Sequence, residues 1–355
     1  MARTKTSPAA SRRTPPAPRR FAVIGAGMAG IACARTLMQA GHEVTVFEKS
    51  RGAGGRMATR RTEFGSFDHG VQYFTVRDAR FKKALAATAA PTAPWQVNTV
   101  RIMDEAGRVV AAAGRNAEAH HVATPGMNAL LQHWAAPIEA LHSQSLVTRI
   151  EPDRLQKTRW QLHTEGPGAQ TQIHAGFDAV LLALPSIQAT TLLRASQLHP
   201  ELQKKLDLVR VAPCWTLMLA FPQAAGAPLG PSWHAARSEH HRIAWLAREG
   251  TKPGRESIER WTVQASPQWS QRHLEDDEER VKAKLLRAFT EVTGIRAEPG
   301  HAQVHRWRYA QTQAPLGQSH LWDGRSGIGL CGDWCLGRRV EDAFVSGLEL
   351  ALHAA

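Results

Sequence analysis

The sequence predicts a two-part α/β fold, in which a largely parallel sheet is joined to an α+β region built on an antiparallel sheet. Residues 21–49 follow a strand–helix–strand pattern, because an apolar run, apolar residues at helical spacing and a β-branched run follow one another. Residues 327–354 return to this style, with a strand followed by a helix. Residues 195–314 differ, since short strand patterns there surround one long helix pattern.

The length of 355 residues fits two domains at roughly 150 residues each. The changes of pattern predict that each domain is assembled from separate pieces of chain. We assign residues 21–87, 124–194 and 315–355 to the first domain, and residues 88–123 and 195–314 to the second. Residues 1–20 are predicted to form a disordered basic tail, because they carry six Lys or Arg residues and no acid among Pro, Ala, Ser and Thr residues.

Individual elements follow from local patterns of apolar and turn residues. Helices are expected at 31–38, 78–87, 127–134, 276–293 and 340–354, with one more after Pro185. Strands are expected at 21–24, 44–47, 100–103, 109–111, 146–150, 160–162, 172–174, 177–185, 211–221, 243–247, 260–264, 304–309 and 327–331. The strand at 177–185 should be buried on both faces, because it is almost continuously apolar. The helix at 276–293 should begin with a capping box of Asp276 and Glu279.

Three glycines separate the first strand from the first helix, with the spacing G-x-G-x-x-G: Gly25, Gly27 and Gly30. In such a turn the first glycine permits the sharp bend, the second lets the backbone approach a pyrophosphate, and the third allows close packing. Glu48 ends the second strand eighteen residues after Gly30, where a carboxylate can bind a ribose hydroxyl. The pattern predicts a dinucleotide site, and a glycine-rich structural turn is the alternative.

Two segments after the second strand carry further polar groups. Residues 50–59 form a glycine-rich loop with Arg56, whose guanidinium can fold over phosphates; a solvated surface loop is the alternative. Residues 67–74 place Asp68, His69 and Gln72 close enough in sequence to line one wall of a cavity. The alternative for them is a buried strand with hydrogen-bonded polar groups.

Composition argues against several classes of function. The four cysteines have neither the spacing of a disulfide framework nor C-x-x-C partners, so we expect no metal site and a cytoplasmic location. The Arg12-Arg13 pair is followed by no apolar segment, so export is not expected. No apolar run reaches roughly 18 residues, so no membrane span is expected. The tail carries six charges of the formal +13, and no basic-aromatic patch outside it predicts nucleic-acid binding.

The glycine turn, the loop at 51–56, the segment at 68–74 and the residues at 332–334 and 341–344 together resemble the renalase-like branch of the flavin-containing amine oxidase superfamily. The resemblance covers nearly all of residues 21–355. It implies an FAD-binding Rossmann-like domain of the glutathione-reductase type and an α+β substrate domain. It also implies non-covalent FAD, with no attachment at Cys335.

The resemblance implies a role for each motif. Val147 would offer backbone groups to the adenine, Gln72 would lie near the isoalloxazine, and Asp333 would bind near the ribityl chain. The N–H groups of the last helix would stabilise negative charge on the flavin, provided that the acidic Glu341 and Asp342 point away. The implied cofactor residues are Gly25, Gly27, Met28, Ala29, Gly30, Glu48, Lys49, Gly55, Arg56, Met57, Gln72, Val147, Gly332, Asp333, Val340, Glu341 and Ala343.

The implied activity is hydride transfer from a dihydronicotinamide, chiefly the misreduced isomers of NAD(P)H, to flavin N5, with dioxygen as re-oxidant and hydrogen peroxide as product. A planar substrate needs flat apolar walls, for which the candidates are Trp245, Trp261, Trp307 and Tyr309, with core packing as the alternative. His69, His234 and His305 are candidates for proton transfer, although hydride transfer needs no base.

Three other functions stay open at this point. One is a flavin amine oxidase or desaturase that acts on an amine or an isoprenoid. Another is an NAD-dependent dehydrogenase without flavin, and the third is a non-catalytic FAD- or nucleotide-binding protein. The sequence does not predict an oligomeric state.

Overall fold

The computed structural model describes residues 17–96, 100–112, 118–224 and 229–355. Its strands are β1 (Arg20–Ile24), β2 (Glu43–Phe47), β3 (Arg60–Thr62), β4 (Gly65–Phe67), β5 (Thr92–Trp95), β6 (Val100–Met103), β7 (Val109–Ala112), β8 (His120–Ala123), β9 (Leu141–His142), β10 (Leu146–Pro152), β11 (Trp160–Glu165), β12 (Thr171–Phe177), β13 (Ala179–Leu182), β14 (Arg210–Phe221), β15 (Ala235–Ser238), β16 (Ile243–Arg248), β17 (Glu259–Ala265), β18 (His301–Ala314), β19 (Leu321–Asp323) and β20 (Ile328–Leu330). Its α-helices are α1 (Met28–Gln39), α2 (Ala79–Ala87), α3 (Ala129–Ala135), α4 (Ser186–Ala195), α5 (Pro200–Leu206), α6 (Pro267–Arg272), α7 (Glu278–Thr293) and α8 (Val340–Ala354).

A six-stranded sheet joins the two ends of the chain in the order β19-β20-β13-β1-β2-β9. The pairs β20–β13, β13–β1, β1–β2 and β2–β9 are parallel, and only β19 is antiparallel to its neighbour. Every residue of β13 is buried, as its apolar sequence predicts. Helices α1 and α8 pack against each other on this sheet, and a side chain at Gly347 would collide with the backbone of Ala29. The predicted α/β class is therefore confirmed.

A seven-stranded sheet has the order β18-β14-β17-β16-β15-β6-β7 and is antiparallel except for the pair β15–β6. Helix α7 covers one face and buries Leu285 and Phe289 against Trp261, Val263 and other apolar residues. Side chains alternate between the two faces of a strand. The opposite face therefore carries residues such as Trp245 and Gln264, which border a cavity.

Several local predictions differ from the structure. Strands β5 and β8 pair with each other within residues 88–123, where only the strands at 100–103 and 109–111 were predicted, and helix α5 was not predicted. Helix α7 is capped by Asp277, whose carboxylate accepts from the next N–H groups, and not by Asp276. Asp276 instead binds His273 and Lys284, so the capping box is wrong by one residue.

The predicted tail falls largely on residues 1–16, which lie outside the described residues. Arg20 already begins β1, and the Arg19 guanidinium donates to the carbonyl of Ala354 at 2.7 Å, so this end of the tail is held by the fold. None of the described helices is both long enough and apolar enough to cross a membrane.

Candidate functional site

One large cavity lies between the two sheets and has a volume of about 2540 Å³. Its walls come from the glycine turn, the start of α1, the loop at 49–62, the segment at 69–75, the free face of the seven-stranded sheet and the start of α8. Pockets for a single small molecule are typically about 300–1,000 Å³. The cavity therefore has room for a dinucleotide and a second ligand.

The glycine turn contains two glycines that the fold requires and one that it does not. Gly25 has φ +105°, and a Cβ there would lie 2.6 Å from the carbonyl oxygen of Ala183. A Cβ on Gly30 would collide with the carbonyl of Gly25. Gly27 has an ordinary φ of −81°, and a Cβ there would meet nothing within 4 Å. The open space beside Gly27 fits the close approach of a pyrophosphate.

Helix α1 begins at this open space without a side-chain cap and without an acidic residue in its first turn. Its first N–H groups have no acceptor within the helix, and the helix dipole makes this end positive. The start of α1 is therefore suited to a phosphate group.

Glu48 is buried at the end of β2 and faces the glycine turn. One carboxylate oxygen accepts the N–H of Ala26 at 2.8 Å, and the other accepts the N–H of Ser50 at 2.8 Å. A carboxylate has about four acceptor positions, so two remain for other donors. The geometry fits the predicted contact with a ribose hydroxyl.

The glycine-rich loop folds back onto the first turn. The N–H of Gly54 donates to the carbonyl of Ala26 at 3.0 Å, and a Cβ on Gly55 would lie 3.2 Å from the Cα of Gly27. This contact positions Arg56, the next residue, at the cavity wall.

Arg56 and Asp333 join the two ends of the chain by an ion pair. The Arg56 nitrogens donate to the two Asp333 oxygens at 3.0 and 2.5 Å, and Nη1 also reaches the carbonyl of Ala310 at 3.1 Å. The hydroxyl of Thr312 donates to Asp333 at 3.0 Å. Burial lowers the pKa of Arg56, but the charge and hydrogen bonds of Asp333 outweigh burial and raise it. Arg56 therefore stays charged, and its contact with phosphate stays a prediction.

Helix α8 directs its acidic side chains away from the cavity. Glu341 accepts the N–H groups of Arg77 at 2.7 Å and Asp78 at 3.0 Å, and Asp342 accepts the N–H of Arg339 at 2.9 Å. Neither Glu341 nor Asp342 borders the cavity, so the predicted contact of Glu341 with the cofactor stays a prediction. The start of α8 thus borders the cavity through Val340 and Ala343, while its two acidic side chains are bound elsewhere.

Val147 borders the cavity from β10, which is the edge strand of the sheet β10-β11-β12. The outer backbone groups of an edge strand have no strand partner, which fits the predicted contact of Val147 with an adenine. The other predicted cofactor residues that border the cavity are Met28, Ala29, Lys49, Met57, Gly332, Val340 and Ala343.

The segment at 68–74 divides between the cavity and the protein interior. The Asp68 side chain points inward and does not border the cavity, which corrects the prediction that it lines the wall. Gln72 does border the cavity, but its carbonyl accepts from Lys252 at 3.2 Å and its amide nitrogen donates to the carbonyl of Asp68. Its side-chain polar atoms are thus occupied within the protein.

Behind this wall lies a buried ionic cluster that the sequence analysis missed, formed by Asp68, Glu249, Lys252 and Arg255. Asp68 binds Lys252 at 3.3 Å and Arg255 at 2.6 Å, and Lys252 binds Glu249 at 2.9 Å. All four side chains are buried. Although burial raises the pKa of Asp68, the two cations lower it to about 2. In sequence, residues 249–255 have the composition of a solvated turn, so no signal indicated the cluster.

A cluster of rings borders the cavity on the side of β18. The Trp307 ring nitrogen donates to the carbonyl of His69 at 2.9 Å, and the two rings are stacked at 5.2 Å. His305 packs edge-on against both rings. Burial and the neighbouring His305 and Arg60 lower the pKa of His69 to about 3, and burial with Arg60 lowers that of His305 to about 4. Both imidazoles are neutral at physiological pH.

A second group of rings faces the cavity from β16 and the segment around Tyr73. Tyr73 stacks on His120 at 3.7 Å and lies 5.5 Å from Trp245, and all three border the cavity. Tyr309 borders the cavity as well.

Two residues that the sequence analysis proposed for this cavity lie elsewhere. Trp261 packs edge-on against Trp233 at 5.1 Å and against Phe289 of α7, so it belongs to the core. The prediction for Trp261 is wrong because side chains alternate between the two faces of a strand, and Trp245 and Trp261 point to opposite faces of one sheet. His234 does not border the cavity and contacts the carbonyl of Gln96 at 3.2 Å.

Other chemistries find no support in the described residues. No group of three His, Cys, Asp or Glu side chains within them is arranged to hold a metal ion. Cys335 is buried and does not border the cavity, and non-covalent binding of FAD stays a prediction.

Comparisons with known proteins agree with this geometry. Residues 23–87 match the NAD(P)-binding Rossmann-like domain, and residues 83–353 match the flavin containing amine oxidoreductase family. The fold resembles that of cyclohexylamine oxidase from Brevibacterium oxydans IH-35A, with a TM-score of 0.70, 12% identity and coverage of 95% of this chain and 98% of that one.

Curated relatives match over a short stretch only. L-amino acid oxidase of Bothrops pictus is 52% identical over 46 residues, which are 13% of this chain and 9% of that protein. A 4,4'-diapophytoene desaturase of Staphylococcus aureus (strain Newman) is 47% identical over 51 residues, which are 14% of this chain and 10% of that protein. The chain thus matches about a tenth of the length of these relatives.

The amine oxidoreductase match extends over most of the chain, and the glycine turn and the loop at 49–62 lie in the Rossmann-like match instead. The open space at Gly27, the uncapped start of α1 and the spare acceptor positions of Glu48 fit the diphosphate and ribose of FAD. The chain belongs to the flavin containing amine oxidoreductase family, whose members are FAD-dependent oxidoreductases.

Proposed function

We propose that the protein is an FAD-dependent oxidase of renalase type, which takes hydride from a dihydronicotinamide such as a misreduced isomer of NAD(P)H. The redox chemistry is supplied by FAD when it is bound, and dioxygen is the proposed oxidant, with hydrogen peroxide as product. The further partners proposed are therefore a small-molecule substrate and dioxygen.

The observation that carries the proposal is the charge of the cavity. Eleven Lys and Arg residues border it, against four acidic residues. The pyrophosphate of FAD would balance only part of this excess. A second ligand with negative charge is therefore favoured by the field of the cavity, and a cationic amine is disfavoured. NAD(P)H isomers are anionic and end in a planar ring, which suits the flat walls at Trp307 and Trp245.

The protein residues would bind and orient the substrate and exclude water. His69 and His305 are neutral, since their pKa values are lowered to about 3 and about 4, so they present flat uncharged faces and carry no imidazolium proton for acid catalysis. This suits hydride transfer, which requires no acid or base. The first N–H groups of α8 would stabilise negative charge that develops on the cofactor.

Stopped-flow mixing of the oxidised holoenzyme with single donors tests the proposal. We expect flavin bleaching with 2- or 6-dihydronicotinamide isomers under anaerobic conditions, and formation of hydrogen peroxide when oxygen is admitted. Bleaching with amines but with no dihydronicotinamide would contradict the proposal.

A second candidate is an amine oxidase or desaturase, because the similar proteins carry the names cyclohexylamine oxidase, L-amino acid oxidase and diapophytoene desaturase. The same experiment includes cyclohexylamine, an L-amino acid panel and a short isoprenoid. A protein that holds FAD but is bleached by none of these donors would instead be a non-catalytic FAD-binding protein.

A further inference from the structure

Arg237 lies on the cavity face of the seven-stranded sheet, at the group of rings around Tyr73. It is the register partner of Trp245 on the neighbouring strand, and directly paired residues have Cβ atoms about 4.5–5.5 Å apart. Its guanidinium donates to the Tyr73 hydroxyl at 3.3 Å. A cation therefore stands beside two flat ring faces in one wall.

This guanidinium has donors to spare. Arginine has five N–H donors, and one contact to Tyr73 uses a single donor. Within the described part of the chain, no carboxylate lies within 4 Å of Arg237. The acid next to this wall, Glu118, is bound by two nitrogens of Arg77.

The positive charge of Arg237 affects the pKa of the neighbouring His120. Burial, first, and the positive charge of Arg237 together lower the pKa of His120 to about 4. His120 stacks on Tyr73 and is therefore neutral at physiological pH. Among the described residues, this wall thus combines the Arg237 cation with neutral rings, and its neighbouring acid Glu118 is bound by Arg77.

We propose that Arg237 is a specificity-determining residue that binds an anionic group, a phosphate or a carboxylate, on a substrate whose planar ring lies against Trp245 and Tyr73. This inference rests on the proposed function for the nature of the ring. A guanidinium fork matches both oxyanions through paired charge-assisted hydrogen bonds. The enzyme would then discriminate against a substrate that lacks the phosphate or carboxylate, because that substrate cannot form those hydrogen bonds with Arg237.

Two pairs of probes identify the group. The first pair is reduced nicotinamide mononucleotide and reduced nicotinamide riboside, which differ by one phosphate, with KM read from flavin reduction. The second pair is nicotinate and nicotinamide, which differ in charge at nearly equal shape, with Kd read from the flavin absorbance of the oxidised holoenzyme. The second pair requires no turnover.

The variants are Arg237→Gln, Arg237→Lys and the control Arg101→Gln. Arg101 lies on the adjacent strand β6 and does not border the cavity. In the unmodified protein we expect the anionic member of at least one pair to bind about ten- to a hundredfold more tightly, as a charged hydrogen bond provides. Arg237→Gln should abolish that preference with little change for the neutral member, Arg237→Lys should retain part of it, and Arg101→Gln should leave it intact.

The results separate this inference from the proposed function. A lost preference in the first pair assigns a phosphate, and one in the second pair assigns a carboxylate. Equal binding within both pairs in the unmodified protein, or preferences that survive Arg237→Gln, would overturn the role of Arg237. Absence of flavin reduction by every dihydronicotinamide would overturn the proposed function, while the nicotinate pair would still decide the role of Arg237.

Discussion

Two sets of ion pairs differ in what surrounds them: the buried ionic cluster joins the segment at 68–74 to residues 249–255, and the Arg56–Asp333 pair joins the two ends of the chain. The buried ionic cluster has two acids and two cations, all shielded from solvent and cavity. The Arg56–Asp333 pair borders the cavity, and the Arg56 side chain is 29% exposed. The first arrangement balances two acids with two cations away from the cavity, whereas the second lines the space where a ligand fits.

Burial explains why the two sets should serve different purposes. Charges removed from water need partners, and a buried pair rarely adds stability beyond what an apolar replacement would give. The cluster therefore serves to fix the position of the segment at 68–74 against residues 249–262. The Arg56–Asp333 pair can still exchange interactions with a ligand, because solvent reaches it.

The largest effect is expected from breaking the cluster. Lys252→Met would leave Asp68 and Glu249 buried with one cation fewer, and loss of one partner of a buried pair costs about 3–5 kcal/mol. Denaturant unfolding should show a loss of that size. The matched control is Lys204→Met, where the side chain is 72% exposed and pairs with Glu201; its effect should stay within about 0.5 kcal/mol. Equal stability of both variants would show that the cluster does not hold the fold.

A smaller effect, on the cofactor and not mainly on the fold, is expected at the cavity. Asp333→Asn removes the charge that holds Arg56, so FAD affinity should fall roughly ten- to a hundredfold, the value of one charged hydrogen bond. Equilibrium titration of the apoprotein with FAD measures this. The control is Glu259→Gln, which breaks a similar pair with Arg248 outside the cavity. If both variants lowered FAD affinity equally, the loss would come from reduced stability of the protein and not from the Arg56–Asp333 pair.

The sequence predicted the region around the glycine turn well because its signals are local. The turn, α1, β2 and Glu48 lie within thirty residues, and each residue type has a backbone reason for its position. The pairing of β1 with β13 and of β13 with β20 follows from apolar strands that must be buried on both faces. The class of the fold was therefore accessible without coordinates.

The substrate side was predicted less well because its contacts are distant in sequence. Asp68 meets Lys252 across more than 180 residues, and neither residue indicates its partner. Trp245 and Trp261 have the same residue type and similar strand patterns, but a bulge in β16 and the position of α7 decide which one faces the cavity. Arg237 was missed because it is an isolated, exposed arginine in a short strand, and nothing in the sequence distinguishes it from other surface arginines.

The smallest effect, and the sharpest contrast between the two regions, is expected in the pH dependence. Asp68 has a folded pKa of about 2, below its usual value of 3.8, so its stabilising contribution of about 2 kcal/mol is complete above pH 4 and is lost as the pH falls toward 2.

His69 and His305 have folded pKa values of about 3 and about 4, so neither gains a proton between pH 5.5 and 8. The rate of flavin reduction in stopped flow should therefore change less than about twofold across that range. A sigmoidal loss of rate centred near pH 6.5 that disappears in His69→Gln would show that this imidazole titrates in the working enzyme, and that the cavity is wetter than its neutral rings indicate.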